Sequence, residues 1–328
     1  MNKKDTANAL ISVKREPVVE KATAFAPVNF ALAKYWGKRD EELMLPVTSS
    51  FSVAIDAGTT TTLCQAHDCD IVELNGKRVE KSSSFYVRLI AFLDLFRPSP
   101  SFFFSVSTIN TIPTAAGLAS SASGFAALVL SLNTFFGWNL SQKNLSILAR
   151  LGSGSASRSI YPGFVLWNKG ERKDGMDSFS EPFDHWWDEL RFGIYVVSKE
   201  KKYIDSRSAM QRTVTTSPLY AFWPEIVDND ISHIQKAIKQ KEFSLFGTTI
   251  EQNALAMHAT MFTTEPPVCY WKEETLSTIQ RIWKARGEGL GVFFTMDAGP
   301  NIKMLFLEEQ EKDVCRLFPD LSLLPLLA

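Results

Sequence analysis

Apolar residues recur at helical spacing over 85–96 and over 124–136 (GFAALVLSLNTFF), which predicts two helices each burying one face. Arg97-Pro98 ends the first, and Ser141 is placed to cap a third helix over 142–151. Short apolar or alternating runs predict strands at 50–55, 59–65, 102–107, 160–167 and 190–198. Asp56-Ala57-Gly58 reads as a turn between the first two of these, and Asn75-Gly76 as the two-residue turn of a hairpin over 71–79. Further on, 231–241, 243–258 and 271–286 read as helices, the last ending at Gly287. Two strands, 291–295 and 302–307, then flank the turn 297–301. Residues 1–20 are polar and charged and read as a partly ordered arm. The polar segment 169–188, with Gly170, Gly175 and Pro182, is the candidate junction between an N-terminal domain (1–188) and a C-terminal domain (189–328).

Composition narrows the function classes. The chain has 328 residues, 45% hydrophobic and 22% charged, enough for a sizeable core and two domains of a soluble protein. A net charge of -1 gives no chain-wide basic surface for nucleic acid or membrane, so an anionic ligand must be held by a local cluster of cations. Cys64, Cys69, Cys269 and Cys315 form no CxxC pair or framework and read as reduced cytoplasmic thiols. The four histidines have no metal-ligand spacing, which argues against zinc. No run reaches the ~18 apolar residues of a membrane helix. The apolar part of the N-terminus is too short for a signal peptide.

Four stretches could carry chemistry. Residues 112–124 (IPTAAGLASSASG) run from a strand into a helix start, where small side chains let the backbone approach an anion and unpaired N–H groups face it. Such a stretch could equally serve tight helix packing, and it is not a Walker-type loop, since no Lys follows Gly117 as required. Lys34-Tyr35-Trp36-Gly37-Lys38-Arg39-Asp40 is either a solvated turn or a folded loop presenting Lys34 and Lys38 to a shared anion. Residues 152–159 (GSGSASRS) are either a linker or an ordered loop carrying Arg158 as a fork for carboxylate or phosphate. Asp297, in an Asp-Ala-Gly-Pro turn between apolar strands, is either a turn former or a carboxylate held at a sheet rim. Glu251, Asn253 and His258 read as surface or packing residues.

The order Pro-x-x-x-Gly-Leu-x-Ser-Ser resembles the phosphate-binding motif of the GHMP small-molecule kinases. The spelling PTAAGLASSASGFAAL is similar to that of one branch, the diphosphomevalonate decarboxylases. APVN-x-A-x-x-KYWGKRD up to Asp40, LPVTSSFSV from Leu45, GSGSASRS and MDAGPNIK resemble that family's other motifs in the same order, with Ser157 where the family has cysteine. The resemblance spans 22–307. It implies a two-domain α+β GHMP-kinase-like fold with the active cleft between the domains. It also implies ATP-dependent decarboxylation of mevalonate 5-diphosphate to isopentenyl diphosphate, through phosphorylation of the 3-hydroxyl.

By matching positions, the resemblance gives Asp297 the 3-hydroxyl, and Lys34 and Arg158 the developing phosphate and carboxylate. Tyr35, Lys38, Ser155 and, approximately, Arg212 fall to the substrate and its diphosphate. Gly117, Leu118, Ala119, Ser120 and Ser121 fall to the ATP phosphates, with Leu74-Asn75-Gly76 near the adenine side. Mg²⁺ would bridge ATP oxygens without dedicated protein ligands. A cytoplasmic homodimer is implied as well. The runner-up readings are a related decarboxylase or 3-kinase acting on mevalonate 5-phosphate or mevalonate, and a non-catalytic ATP and metabolite sensor.

Overall fold

The computed structural model describes residues 1–11, 16–111, 120–200 and 202–328. Its first part contains α1 (Lys3–Leu10), β1 (Lys21–Ala33), β2 (Lys38–Asp40), β3 (Leu45–Pro46), β4 (Ser50–Ala66), β5 (Ile71–Leu74), β6 (Lys77–Arg78), α2 (Ser84–Leu93), β7 (Phe103–Asn110), α3 (Ser120–Phe135), α4 (Gln142–Gly152), β8 (Phe164–Trp167) and β9 (Ser180–Phe183). The second contains β10 (Leu190–Tyr195), α5 (Ser206–Thr216), α6 (Trp223–Gln240), α7 (Phe243–Phe262), α8 (Glu273–Gly287), β11 (Val292–Thr295), β12 (Ile302–Leu307), α9 (Glu311–Leu317) and β13 (Ser322–Leu324).

Among the described residues the first part builds a seven-stranded sheet in the order β6-β5-β7-β4-β8-β9, with β1 also paired to β4. The second builds a four-stranded sheet in the order β11-β12-β10-β13. Local signals set many of these elements. Ser83 and Ser141 cap α2 and α4 by accepting from the N–H of Tyr86 and Asn144. Asn75 and Gly76 both have positive φ (52° and 74°), the conformation a two-residue hairpin turn demands between β5 and β6.

Three expectations are corrected. Residues 50–66 form one strand, not two separated by a turn. β1 pairs with it from Cys64 to Phe51, and the step from Pro27↔Gly58 to Val28↔Ile55 absorbs Asp56 and Ala57 as a bulge. The N-terminal arm contains a folded helix. Asn2 and Asp5 form a capping box at its start, and Ala7, Leu10 and Ile11, at helical spacing, are buried in the first core. Residues 152–159 are ordered and carry Arg158, as the loop reading expects, but as a buried 3-10 helix over Gly154–Ile160 instead of an irregular loop.

The first core lies between the seven-stranded sheet and α2, α3 and α4, and includes Phe92, Phe104, Phe125 and Leu132. A second joins the two parts: Phe30 of β1 meets Phe192 of β10 edge to face with ring centroids 5.1 Å apart. The chain end returns to the first part, where Leu327 donates its N–H to the Ala54 carbonyl. Helix α7 runs through this joint and touches both β1 and β11. Gly247 permits the second contact, because a Cβ there would lie 2.1 Å from the Phe293 ring.

Candidate active site

The joint brings together residues far apart in the chain. Lys34, following the end of β1, donates from Nζ to Asp297 Oδ1 and to the Ala31 carbonyl, both at 2.9 Å. Lys303, on β12, donates to Asp297 Oδ2. The two lysine side chains are 2% and 4% exposed, whereas the Asp297 side chain is 39% exposed. A carboxylate is thus held from behind by two buried ammonium groups and faces open space. Burial opposes the charge of Asp297, but Lys303 and then Lys34 outweigh it and hold the carboxyl well below the usual carboxylate range. Burial lowers Lys34 to about 8 despite Asp297 beside it.

Helix α7 fixes both sides of this pair. Asn253 Oδ1 accepts the backbone N–H of Lys34 at 2.8 Å, and its amide donates to Asp230 Oδ2 at 2.8 Å. His258 Nδ1 accepts from the Trp271 indole N–H at 3.0 Å. That leaves the ring proton on Nε2, which donates to the Asp297 carbonyl at 3.1 Å. Burial pulls His258 down to about 3, so the ring is neutral. Asn253, His258 and Glu251 are all buried, so of the two readings, surface or packing, the structure leaves packing.

Arg158 lies in the 3-10 helix, 3% exposed. Its fork donates to Asn29 Oδ1 from Nε at 3.2 Å and from Nη2 at 3.0 Å, and Nη1 donates to Ser50 Oγ. Burial lowers it to about 10, with Asp297 opposing. Asn29 in turn donates to the Ser155 carbonyl at 3.0 Å and to Ser159 Oγ at 2.7 Å. Ser155 is therefore placed beside Arg158 through its backbone.

Tyr35 packs edge to face on Trp167 with centroids 4.8 Å apart, and its buried hydroxyl has no partner among the described residues. Lys38 pairs with Glu41 at 2.5 Å. On α5, Arg212 donates to the Pro266 carbonyl at 3.3 Å. Arg207 lies five residues earlier, roughly 140° around the helix, and lines a cavity beside Gly152 and Glu42. Its charge acts on Tyr35. Arg207 thus joins Arg212 as a candidate for the diphosphate end, on the charge it exerts on Tyr35.

Residues 112–119 lie outside the described part, and with them Gly117, Leu118 and Ala119; the Ser120 side chain lies outside it as well. Ser121 is exposed in the first turn of α3. It lines a pocket with Leu74, Phe85, Thr108, Asn110 and Phe125. The start of α3 is fastened to the sheet by Ser123, whose hydroxyl lies 2.7 Å from that of Thr59. An apolar slot with polar edges at the N-terminal end of a 16-residue helix fits a nucleotide, its base in the slot and its phosphates at the helix start. Among the described residues no group of three or more His, Cys, Asp or Glu could hold a metal ion.

A family model described as diphosphomevalonate decarboxylase-like N-terminal domain matches residues 26–180, and one described as mevalonate 5-diphosphate decarboxylase C-terminal domain matches residues 193–322. The chain belongs to the diphosphomevalonate decarboxylase family. The diphosphomevalonate decarboxylase of Bos taurus is 39% identical over 321 residues, covering 90% of this chain and 78% of the relative. Among solved structures, the mevalonate diphosphate decarboxylase from Enterococcus faecalis, studied for its mevalonate diphosphate mediated ATP binding mechanism, superposes with a TM-score of 0.86 at 39% identity. That match covers 93% of this chain and 96% of the other. A structure of MDDEF in complex with MVAPP, AMPPCP and magnesium gives the same TM-score and the same coverages at 40% identity. The two-domain α+β GHMP-kinase fold expected from the sequence is the fold of this decarboxylase-family chain.

Four residues of this decarboxylase-family site carry no role in the motifs read from sequence. Lys303 stands within MDAGPNIK, and its signal is a lone lysine near the start of the apolar strand 302–307. Asn253 and His258 show only as polar residues within an apolar helix. Arg207 is displaced by Arg212 in the motif match, and only the helix phase separates the two.

Proposed function

We propose that this chain catalyses ATP-dependent decarboxylation of mevalonate 5-diphosphate to isopentenyl diphosphate, ADP, phosphate and carbon dioxide. The observation that carries this reading is the Asp297 carboxylate, facing the cleft while Lys34 and Lys303 hold it from behind. ATP supplies the phosphoryl group for the substrate's 3-oxygen, with Mg²⁺ carried on its phosphates. Phosphoryl transfer of the loose kind does not need a strong base early, because the hydroxyl proton leaves late. A carboxylate kept acidic by two ammonium groups suits this chemistry. Asp297 accepts the hydroxyl's hydrogen bond, aims its oxygen, and takes the proton as the new O–P bond forms. Loss of the 3-phosphate then breaks C3–O, and the electrons of the carboxyl C–C bond close the new double bond as carbon dioxide leaves.

Both stages concentrate negative charge, which preorganised cations stabilise. Lys34 and Arg158 serve the departing phosphate and the carboxylate. Tyr35, Lys38, Ser155 and Arg207 serve the diphosphate end, with Arg207 preferred to Arg212 there because its charge acts on Tyr35. The start of α3, with Ser120 and Ser121 and the preceding Gly117, Leu118 and Ala119, serves the ATP phosphates. The domain boundary at 188/189, the cytoplasmic setting and the homodimer belong to the same proposal, and light scattering tests the last of these.

The deciding assay is ATP-dependent release of carbon dioxide from carboxyl-labelled mevalonate 5-diphosphate, run beside mevalonate 5-phosphate and mevalonate, with ADP followed in each. Release from the diphosphate alone supports the proposal. ADP without carbon dioxide points to a 3-kinase, and neither product from any of the three points to a sensor.

A further inference from the structure

Helix α1 lies outside both family matches, the first of which begins at residue 26. It is nevertheless seated on the first core through Ala7, Leu10 and Ile11. That seating brings Lys3 and Lys4 to the edge of a cavity of about 550 Å³, whose wall also holds Arg88 of α2, Arg207 of α5 and Glu42. Four cations therefore face one carboxylate. Glu42 is itself engaged, accepting the backbone N–H of Lys3 at 3.3 Å. The nearby Asp205 is engaged in capping α5, where it accepts from the N–H of Arg207 and Ser208. Among the described residues, no ion pair within 4.0 Å joins the side chains of Lys3, Lys4, Arg88 or Arg207.

The cations act on one another. Burial lowers Lys3, Glu42 opposes this, and Arg207, Lys38 and Arg88 lower it further. Arg88 is lowered by burial and then by Arg207, with Asp205 opposing. Four cations around one lining carboxylate leave an excess of positive charge that an anion relieves. The same charges reach the cleft, since Arg207 acts on Tyr35 and Lys38 acts on Lys3. Gly152, which also lines the cavity, leads into the 3-10 helix carrying Ser155 and Arg158.

We propose that α1 is a wall of the substrate's diphosphate pocket, and that Lys3, with Arg88 and Arg207, contacts the terminal phosphate while Lys4 adds to the field. This rests on the function proposed above for the choice of ligand; the pocket itself is a diphosphate-type anion site. Arg88 also borders the nucleotide slot, whereas Lys3 does not, which separates the two phosphate sources.

The test uses the full chain carrying Lys3→Gln, with Lys3→Arg as the charge-preserving control and a thermal unfolding curve for each. In Lys3→Gln, KM for mevalonate 5-diphosphate should rise about tenfold, while kcat and KM for ATP change less than about twofold, and Lys3→Arg should restore KM. Inorganic pyrophosphate, titrated calorimetrically without turnover, should bind Lys3→Gln more weakly by a similar factor. This second arm reads the site even if the decarboxylase activity proves absent. Unchanged KM and pyrophosphate affinity in a folded Lys3→Gln overturn the proposal. A rise confined to KM for ATP overturns it too, by assigning Lys3 to the nucleotide.

Discussion

Asn253 Oδ1 accepts the backbone N–H of Lys34 at 2.8 Å across 219 positions of sequence. Through this bond a helix of the second half holds the lysine of the first half against Asp297. Asn253→Ala should leave a buried N–H and the Asp230 carboxyl without their partner. A loss of about 2–4 kcal/mol in denaturant unfolding is expected, with kcat down about 10–100-fold because Lys34 is no longer fixed. Wild-type kcat in a destabilised Asn253→Ala would reduce the residue to packing.

Asp297→Asn keeps the shape and removes the charge between Lys34 and Lys303. Turnover should fall about 10³-fold or more, while KM for mevalonate 5-diphosphate stays within a few-fold, since the diphosphate contacts lie elsewhere. The two buried ammonium groups lose their counter-ion, at a cost of about 1–3 kcal/mol after allowing for the partly solvated carboxylate. Near-normal kcat in this variant would refute the role given to Asp297.

Lys34, lowered by burial to about 8, should give kcat/KM a basic limb near that pH, because the free enzyme loses the ammonium. Bound anionic substrate favours the charged form, so the limb in kcat should lie higher. Stability should respond in the opposite sense. Between about 8 and the ordinary 10.5 the unfolded chain holds a proton on this lysine that the folded one has released. This group's contribution therefore grows with pH in that window. Paired pH profiles of kcat/KM and of unfolding, for wild type and Lys34→Met, separate the two effects.

His258 should remain neutral with its proton on Nε2 throughout the working range, visible in the imidazole nitrogen spectrum. Its folded value of about 3 lies below the ordinary 6.5, so the unfolded chain takes up the proton first. The stability it contributes should be full above about 6.5 and be lost as pH falls from there toward 3. His258→Phe should flatten that part of the stability curve, and it should lower kcat by releasing the Asp297 carbonyl.

Sequence alone determined what depends on near neighbours. Ser83 and Ser141 cap helices from one turn away, Asn75-Gly76 closes its own hairpin, and short motifs in order carried the family, because each is a contiguous set of side chains and backbone angles. Tertiary structure decided what depends on burial across the chain. Asp56-Ala57-Gly58 has turn composition, yet pairing with β1 on both sides of a bulge satisfies more backbone groups than a turn would, and the strand runs through. Residues 1–11 are polar overall, yet three apolar side chains find the first core and α1 folds onto it. The clamp on Asp297 arises where the lone lysine of an apolar strand, the end of β1 and the polar face of α7 converge. No local pattern encodes that meeting, because the energy holding it comes from the apolar joint around Phe30, Phe192 and Gly247 that packs the two sheets together.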